Sequence, residues 1–228
     1  MSDLKLPKQA QVVIIGGGVI GCSVAYHLTK LGWSDVLLLE RKELTCGTTW
    51  HAAGLVGQLR ATRNMTMLAQ YTSELFAGLE VETGQATGFK QNGSISVAPD
   101  QERFEELKRG ASMAKCFGLE VEVITAHEAL ELHPYLNIND LCGAVFLPKD
   151  GQTNPIDTTR ALAQGARMGG AQILENVRVQ GILKEQNRVT GVVTDQGDVE
   201  AEYVVNCAGL WGRQVGKMAG VNVPLHAS

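Results

Sequence analysis

The hydrophobic positions near the start of the chain do not alternate. Residues 11 to 15, Gln-Val-Val-Ile-Ile, form a β-branched run, and Val36 to Leu39 a second apolar run. Such runs suit strands buried on both faces of a parallel sheet. Between them the apolar residues Ile20, Val24, Leu28 and Leu31 recur at helical spacing from Val19 to Leu31, and Gly32 follows as a C-terminal stop. The pattern predicts a β-α-β unit, which crosses over right-handedly into a parallel sheet.

Beyond Trp50 the pattern loosens. Helices are expected around Asn64 to Leu79 and over Asp100 to Phe117, with the turn Gln91-Asn92-Gly93 and an alternating strand at Ser94 to Ala98. The stretch from Val121 to Pro148 reads as short strands of an antiparallel layer interrupted by His133-Pro134 and Leu147-Pro148. A helix over 157 to 169 is followed by expected strands at Ile173 to Val179, Ile182 to Glu185, Val189 to Asp195 and Val199 to Val205. Gln196-Gly197-Asp198 is a hairpin turn between the last two. The division predicted is 1–90 for the first part of a nucleotide-binding domain, 91–150 for a substrate-side insertion and 151–228 for the return. Pro224 to Ser228 reads as a crossing strand just begun, so a fragment is expected.

Composition narrows the classes. The chain is 44% hydrophobic and 19% charged, with a formal net charge of −4, the profile of a globular protein with no basic field for nucleic acid. No apolar run is long enough to span a bilayer. Five widely spaced cysteines without a CxxC pair suggest neither a disulfide framework nor a metal site. Together with a polar start that lacks an apolar signal core, they lead to the expectation of a cytoplasmic protein.

Gly16-Gly17-Gly18-Val19-Ile20-Gly21 follows a strand and opens a helix, the context that makes a glycine pattern a dinucleotide fingerprint. Gly16 permits the tight turn, and Gly18 lets backbone N–H groups approach a pyrophosphate at the helix N-terminus. Gly21 lets helix and sheet close together. Glu40 stands about 20 residues further on, where a carboxylate can accept from ribose hydroxyls. Up to this point NAD and FAD remain equally open.

Later residues separate them. The sequence resembles the D-amino-acid-oxidase-like flavoproteins, closest to the dimethylglycine and sarcosine dehydrogenase branch, across nearly its whole length. The carriers are Val-Ile-Ile-Gly-Gly-Gly-Val-Ile-Gly, Leu-Leu-Leu-Glu40-Arg41, the block Gly47-Thr48-Thr49-Trp50-His51-Ala52-Ala53-Gly54-Leu55, Asp150-Gly151 with Pro155, and Val204-Val205-Asn206-Cys207-Ala208-Gly209-Leu210-Trp211. The resemblance implies an α/β fold: a Rossmann-like FAD-binding parallel sheet of the GR2 type, with an inserted antiparallel substrate-side region and a truncated C-terminus.

It also implies FAD attached covalently through His51. The rival reading of a histidine after tryptophan is a plain pocket-lining side chain. Backbone contacts to FAD are implied at Val179, at the end of an expected strand, and at Ala208, Gly209 and Trp211. The implied reaction is oxidation of a secondary or tertiary methylamine by hydride transfer to the flavin, with an electron-transfer protein or oxygen as acceptor. Tetrahydrofolate is a possible further cofactor of a longer parent.

Arg60 and Arg63 are weaker candidates for gripping a substrate carboxylate, since planar guanidinium forks do this well but surface arginines are common. No residue is singled out as the catalyst. The alternatives are another flavin oxidoreductase of the amino-acid or glycerol-3-phosphate type, and a non-catalytic regulatory relative of the same fold.

Overall fold

The computed structural model describes residues 5–226. The chain divides into two compact units, one of residues 1–53, 79–87 and 154–228, the other of residues 54–78 and 88–153. This differs from the expected boundaries at 90 and 150, because residues 54–78 join the second unit and the chain re-enters the first at Leu79.

The first unit begins with β1 (Gln9–Ile15), α1 (Val19–Lys30) and β2 (Val36–Leu39), within two residues of the expected limits. In the second unit come β3 (Leu55–Val56), then α2 (Arg63–Thr83), which runs back into the first unit, β4 (Ser94–Ala98), α3 (Gln101–Cys116), β5 (Glu122–Ile124), α4 (Ala126–Leu132), β6 (Gly143–Leu147) and β7 (Gly151–Gln152). The first unit resumes with α5 (Pro155–Met168), β8 (Gln172–Leu174), β9 (Val179–Glu185), β10 (Arg188–Thr194), β11 (Gly197–Asn206) and α6 (Gly212–Met218).

The first unit is built on a six-stranded sheet in the order β8-β2-β1-β11-β10-β9. The pairs β2–β8, β1–β2 and β1–β11 are parallel, and β11–β10 and β10–β9 antiparallel. The lack of alternation in β1 and β2 now has its cause. Val13, Ile15, Leu37 and Leu39 join Leu174, Val192, Val199 and Val215 of α6 in one buried cluster, while Val12, Ile14, Val36 and Leu38, of opposite parity, are buried as well. Helix α1 lies against α5, where an added methyl at Gly165 would meet the Tyr26 ring at 2.6 Å.

Three expectations are corrected in this unit. The strand expected over 173 to 179 ends at Leu174, and Val179 opens β9 instead of closing a strand. Between them Asn176 adopts φ 60°, and the amides of Asn176 and Val177 donate to the carbonyls of Lys42 and Glu40, which turns the chain away from the sheet. The hairpin turn is shifted by one residue: Thr194 pairs with Gly197, which already belongs to β11. Residues 221–226 form no strand, and Ala227 and Ser228, the end of the expected crossing strand, lie outside the described residues.

The second unit holds an antiparallel sheet β4-β6-β5 and the short ladder β3-β7. Ala111 and Ala114 of α3 pack with Leu119, Val121, Val145 and Leu147. The stretch expected as short strands contains α4 as well. Its start is a capping box, with the Thr125 hydroxyl accepting from the Glu128 amide and the Glu128 carboxylate accepting from that of Thr125. Asp150 is buried, its Oδ1 accepting from the Gln58 amide at 2.8 Å and its Oδ2 from the Ser94 hydroxyl at 2.6 Å. Among the described residues no helix is long and apolar enough to cross a membrane.

Candidate functional site

The site grows from the end of β1. Gly16 has φ 113°, and a methyl group there would stand 2.5 Å from the Cys207 carbonyl oxygen at the end of β11. At Gly21 a methyl would collide with the Gly16 carbonyl, so α1 can start this close to the turn only without a side chain. Helix α1 carries no acidic residue in its first turn, leaving the positive end of its dipole uncompensated by side chains. One of its first amides, that of Val19, donates to Thr49 Oγ1 at 3.1 Å. This bond ties the 3-10 turn Thr49–His51 to the helix start.

Glu40 directly follows β2, with its carboxylate buried. Oε2 accepts from the Gly17 amide at 2.7 Å and Oε1 from the Lys42 amide at 3.0 Å, while the Cys46 thiol lies 3.5 Å from Oε1. Two amide bonds leave lone pairs on both oxygens for further donors such as a ribose diol. Burial, then the neighbouring Glu40 charge, pushes the Cys46 thiol above its ordinary range, and burial does the same for Cys207. These thiols are therefore poor nucleophiles.

A cavity of about 350 Å³ opens over these groups. Its wall includes Gly16, Gly18, Val19 and Ile20 from the turn and helix start, Glu40 and Arg41, Gly47 to Thr49 with Ala52, Val177 to Val179, and Ala208, Gly209 and Trp211. The Arg41 guanidinium lies 3.8 Å from the centre of the Trp211 ring. The size fits the adenosine diphosphate half of a dinucleotide, and the donor set fits its anionic centre: a helix N-terminus, a glycine turn and an arginine.

The family profile described as FAD dependent oxidoreductase matches residues 11–228. The chain belongs to this family. Human mitochondrial sarcosine dehydrogenase is 45% identical over 97% of this chain and 25% of its own length. Rat mitochondrial dimethylglycine dehydrogenase is 41% identical over 95% and 25%, and the mouse mitochondrial pyruvate dehydrogenase phosphatase regulatory subunit 43% over 99% and 26%. The chain thus spans about a quarter of the length of these relatives. Among solved structures, L-proline dehydrogenase from P. horikoshii superposes with a TM-score of 0.90 at 31% identity, covering 95% of this chain and 57% of that one.

The cradle fits the family's cofactor: the crowded glycines, the buried Glu40 and the cavity are what an FAD adenosine diphosphate requires. Of the residues singled out from sequence, Gly16, Gly18, Val19, Ile20, Glu40, Arg41, Gly47, Thr48, Thr49, Ala52, Val179, Ala208, Gly209 and Trp211 line this one cavity. Gly21 lies beneath it as a packing position. Trp50, His51 and Ala53 are exposed and outside the lining. The Trp50 and His51 rings stack on each other with centroids 3.8 Å apart.

Gly54, Leu55, Arg60 and Arg63 fall in the second unit. There Arg60 is exposed and its Nη1 donates to the Leu59 carbonyl at 2.9 Å, and Arg63 is the exposed first residue of α2. Sequence reasoning missed Cys46, Val177, Arg178, Gln214, Val215 and Met218 of the lining. The last three come from α6, seven residues long with two glycines, too short to show a helical period.

Proposed function

We propose that this chain is the FAD-binding part of a flavoenzyme that oxidises a secondary or tertiary methylamine of the dimethylglycine or sarcosine kind. When bound, FAD supplies the hydride acceptor, and the residues described above hold and orient it. The α1 N-terminus and the turn Gly16 to Gly18 face the pyrophosphate, and Glu40 takes the ribose hydroxyls. Val179, Ala208 and Gly209 supply backbone walls.

The observation that carries the reading is the block at residues 47–55. Gly47 to Thr49 and Ala52 line the dinucleotide cavity, and His51, between them in sequence, stands exposed two positions after the buried Thr49. His51 is there to be joined covalently to the flavin. Arg60 and Arg63 are the proposed grips for a substrate carboxylate. An electron-transfer protein or oxygen would take the electrons, and tetrahydrofolate would belong to a longer parent. The five cysteines are free in the structure, which suits action in the reducing cytoplasm.

A second reading, a non-catalytic regulatory module, is favoured by the 43% identity to the mouse regulatory subunit over 99% of this chain. Acid denaturation separates the two. Flavin absorbance that stays with the polypeptide, and is lost in His51→Ala, supports the covalent dehydrogenase. Flavin released from both proteins moves the assignment to a non-covalent amino-acid or glycerol-3-phosphate type oxidase. A protein that takes up no flavin is the regulatory module.

A further inference from the structure

The Arg41–Trp211 stack has a position that the cavity lining alone does not explain. In the sheet, β2 and β11 flank β1 on opposite sides. Arg41 follows the last residues of β2, and Trp211 ends the 3-10 turn Gly209–Trp211 after β11. Their contact therefore spans the end of β1, where the glycine turn opens into α1.

Both ends of this span are anchored. Trp211 donates its amide to the Ala208 carbonyl at 2.9 Å. Asn206 braces the turn twice, accepting from the Ala208 amide at 3.2 Å and donating to the Gly212 carbonyl at 2.8 Å. A methyl at Gly47 would stand 3.7 Å from the indole, so the loop after β2 packs against the ring. Arg41 is anchored through its neighbour Glu40, whose carboxylate is bonded to the amides of Gly17 and Lys42.

We propose that Trp211 is a positioning residue that holds the Arg41 guanidinium across the glycine turn so that it meets the diphosphate of the bound dinucleotide. A guanidinium stacks through its face and donates hydrogen bonds through its edge. The indole therefore occupies one surface of the group and leaves the N–H fork free for phosphate oxygens. Without the indole, the long side chain would have to be ordered by the ligand itself, and affinity would fall. This rests on the FAD reading of the cavity.

The test is a double-mutant cycle on apoprotein from riboflavin-starved cells, with ADP as the probe and calorimetry as the readout. Arg41→Met is expected to weaken ADP binding about tenfold and Trp211→Leu about fivefold. The double variant should be no weaker than Arg41→Met, because Trp211 acts only through Arg41. Trp211→Phe, which keeps an aromatic face, should bind within about twofold of the unaltered protein.

Single losses that multiply in the double variant overturn the proposal, as does Trp211→Leu that melts earlier yet binds ADP unchanged. If Trp211→Leu does not fold, Arg41→Lys decides. It keeps the charge without the planar fork, so binding as weak as in Arg41→Met supports the proposal and unaltered binding overturns it. Absence of ADP binding in the unaltered apoprotein overturns the nucleotide site itself, and the proposal with it.

Discussion

Replacing Glu40 by glutamine changes one atom and should cost far more than its size suggests. Both carboxylate oxygens accept from backbone amides, Oε2 from Gly17 at 2.7 Å and Oε1 from Lys42 at 3.0 Å. Glutamine has one oxygen. Whichever way its amide turns, an NH₂ group must face an N–H donor, and the bond that survives loses its charge assistance. The Cys46 sulfur, 3.5 Å from Oε1, is too weak an acceptor to absorb the misplaced donor.

A hydrogen bond to a charged group contributes roughly 1.5–3 kcal/mol, so losing one and weakening the other should cost about 2–3 kcal/mol in this buried setting. At about 2–4 °C per kcal/mol for a chain of this size, that is a fall in Tm of roughly 4–12 °C. Thermal unfolding of the Glu40→Gln apoprotein, followed by circular dichroism, measures it. A variant that melts within a degree of the unaltered protein would refute the reasoning, since no arrangement of glutamine satisfies both amides.

Asp150 provides a contrast and Cys22 a pH dependence. Asp150 accepts from one amide and one hydroxyl, and the hydroxyl of Ser94 can turn to accept from an asparagine NH₂. Asp150→Asn should therefore cost only about 1 kcal/mol, and Asp150→Ala, which strands both partners, about 3 kcal/mol by urea unfolding. Equal losses in the two variants would contradict this. Burial pushes the Cys22 thiol from its ordinary 9.0 up to about 12. Below pH 9 folded and unfolded chains both keep this proton, and between 9 and 12 only the unfolded chain releases it. Stability should fall over that interval by at most ~1.4 kcal/mol per pH unit from this group, less in Cys22→Ala. A urea midpoint equally steep in pH for both proteins would exclude Cys22 as a cause.

How far a feature could be read from sequence followed how local its cause is. β1, α1 and β2 emerged within two residues of their expected limits because apolar runs and helical spacing carry them. The start of α4 is equally local, a Thr-x-x-Glu capping box at Thr125, although short strands are expected there. Val179 opens a strand where the sequence pattern closes one, because nothing in Glu-Asn-Val-Arg-Val reveals that the carbonyls of Glu40 and Lys42 capture two of its amides. Helix α6 has too few residues for a period and depends on burying Val215 beneath the sheet.

By itself the sequence determined the chemistry of the nucleotide turn: the glycines where a side chain would collide, an acid at the end of the second strand, and a histidine in a distinctive block. These depend on residue type and on spacing along a short stretch of chain. Only the tertiary structure decided which of these groups share one cavity, which amide Thr49 withdraws from the helix start, and that Arg41 reaches Trp211 across β1. Those choices join residues 30 to 170 positions apart, and strand order and packing, which no local pattern encodes, set their distances.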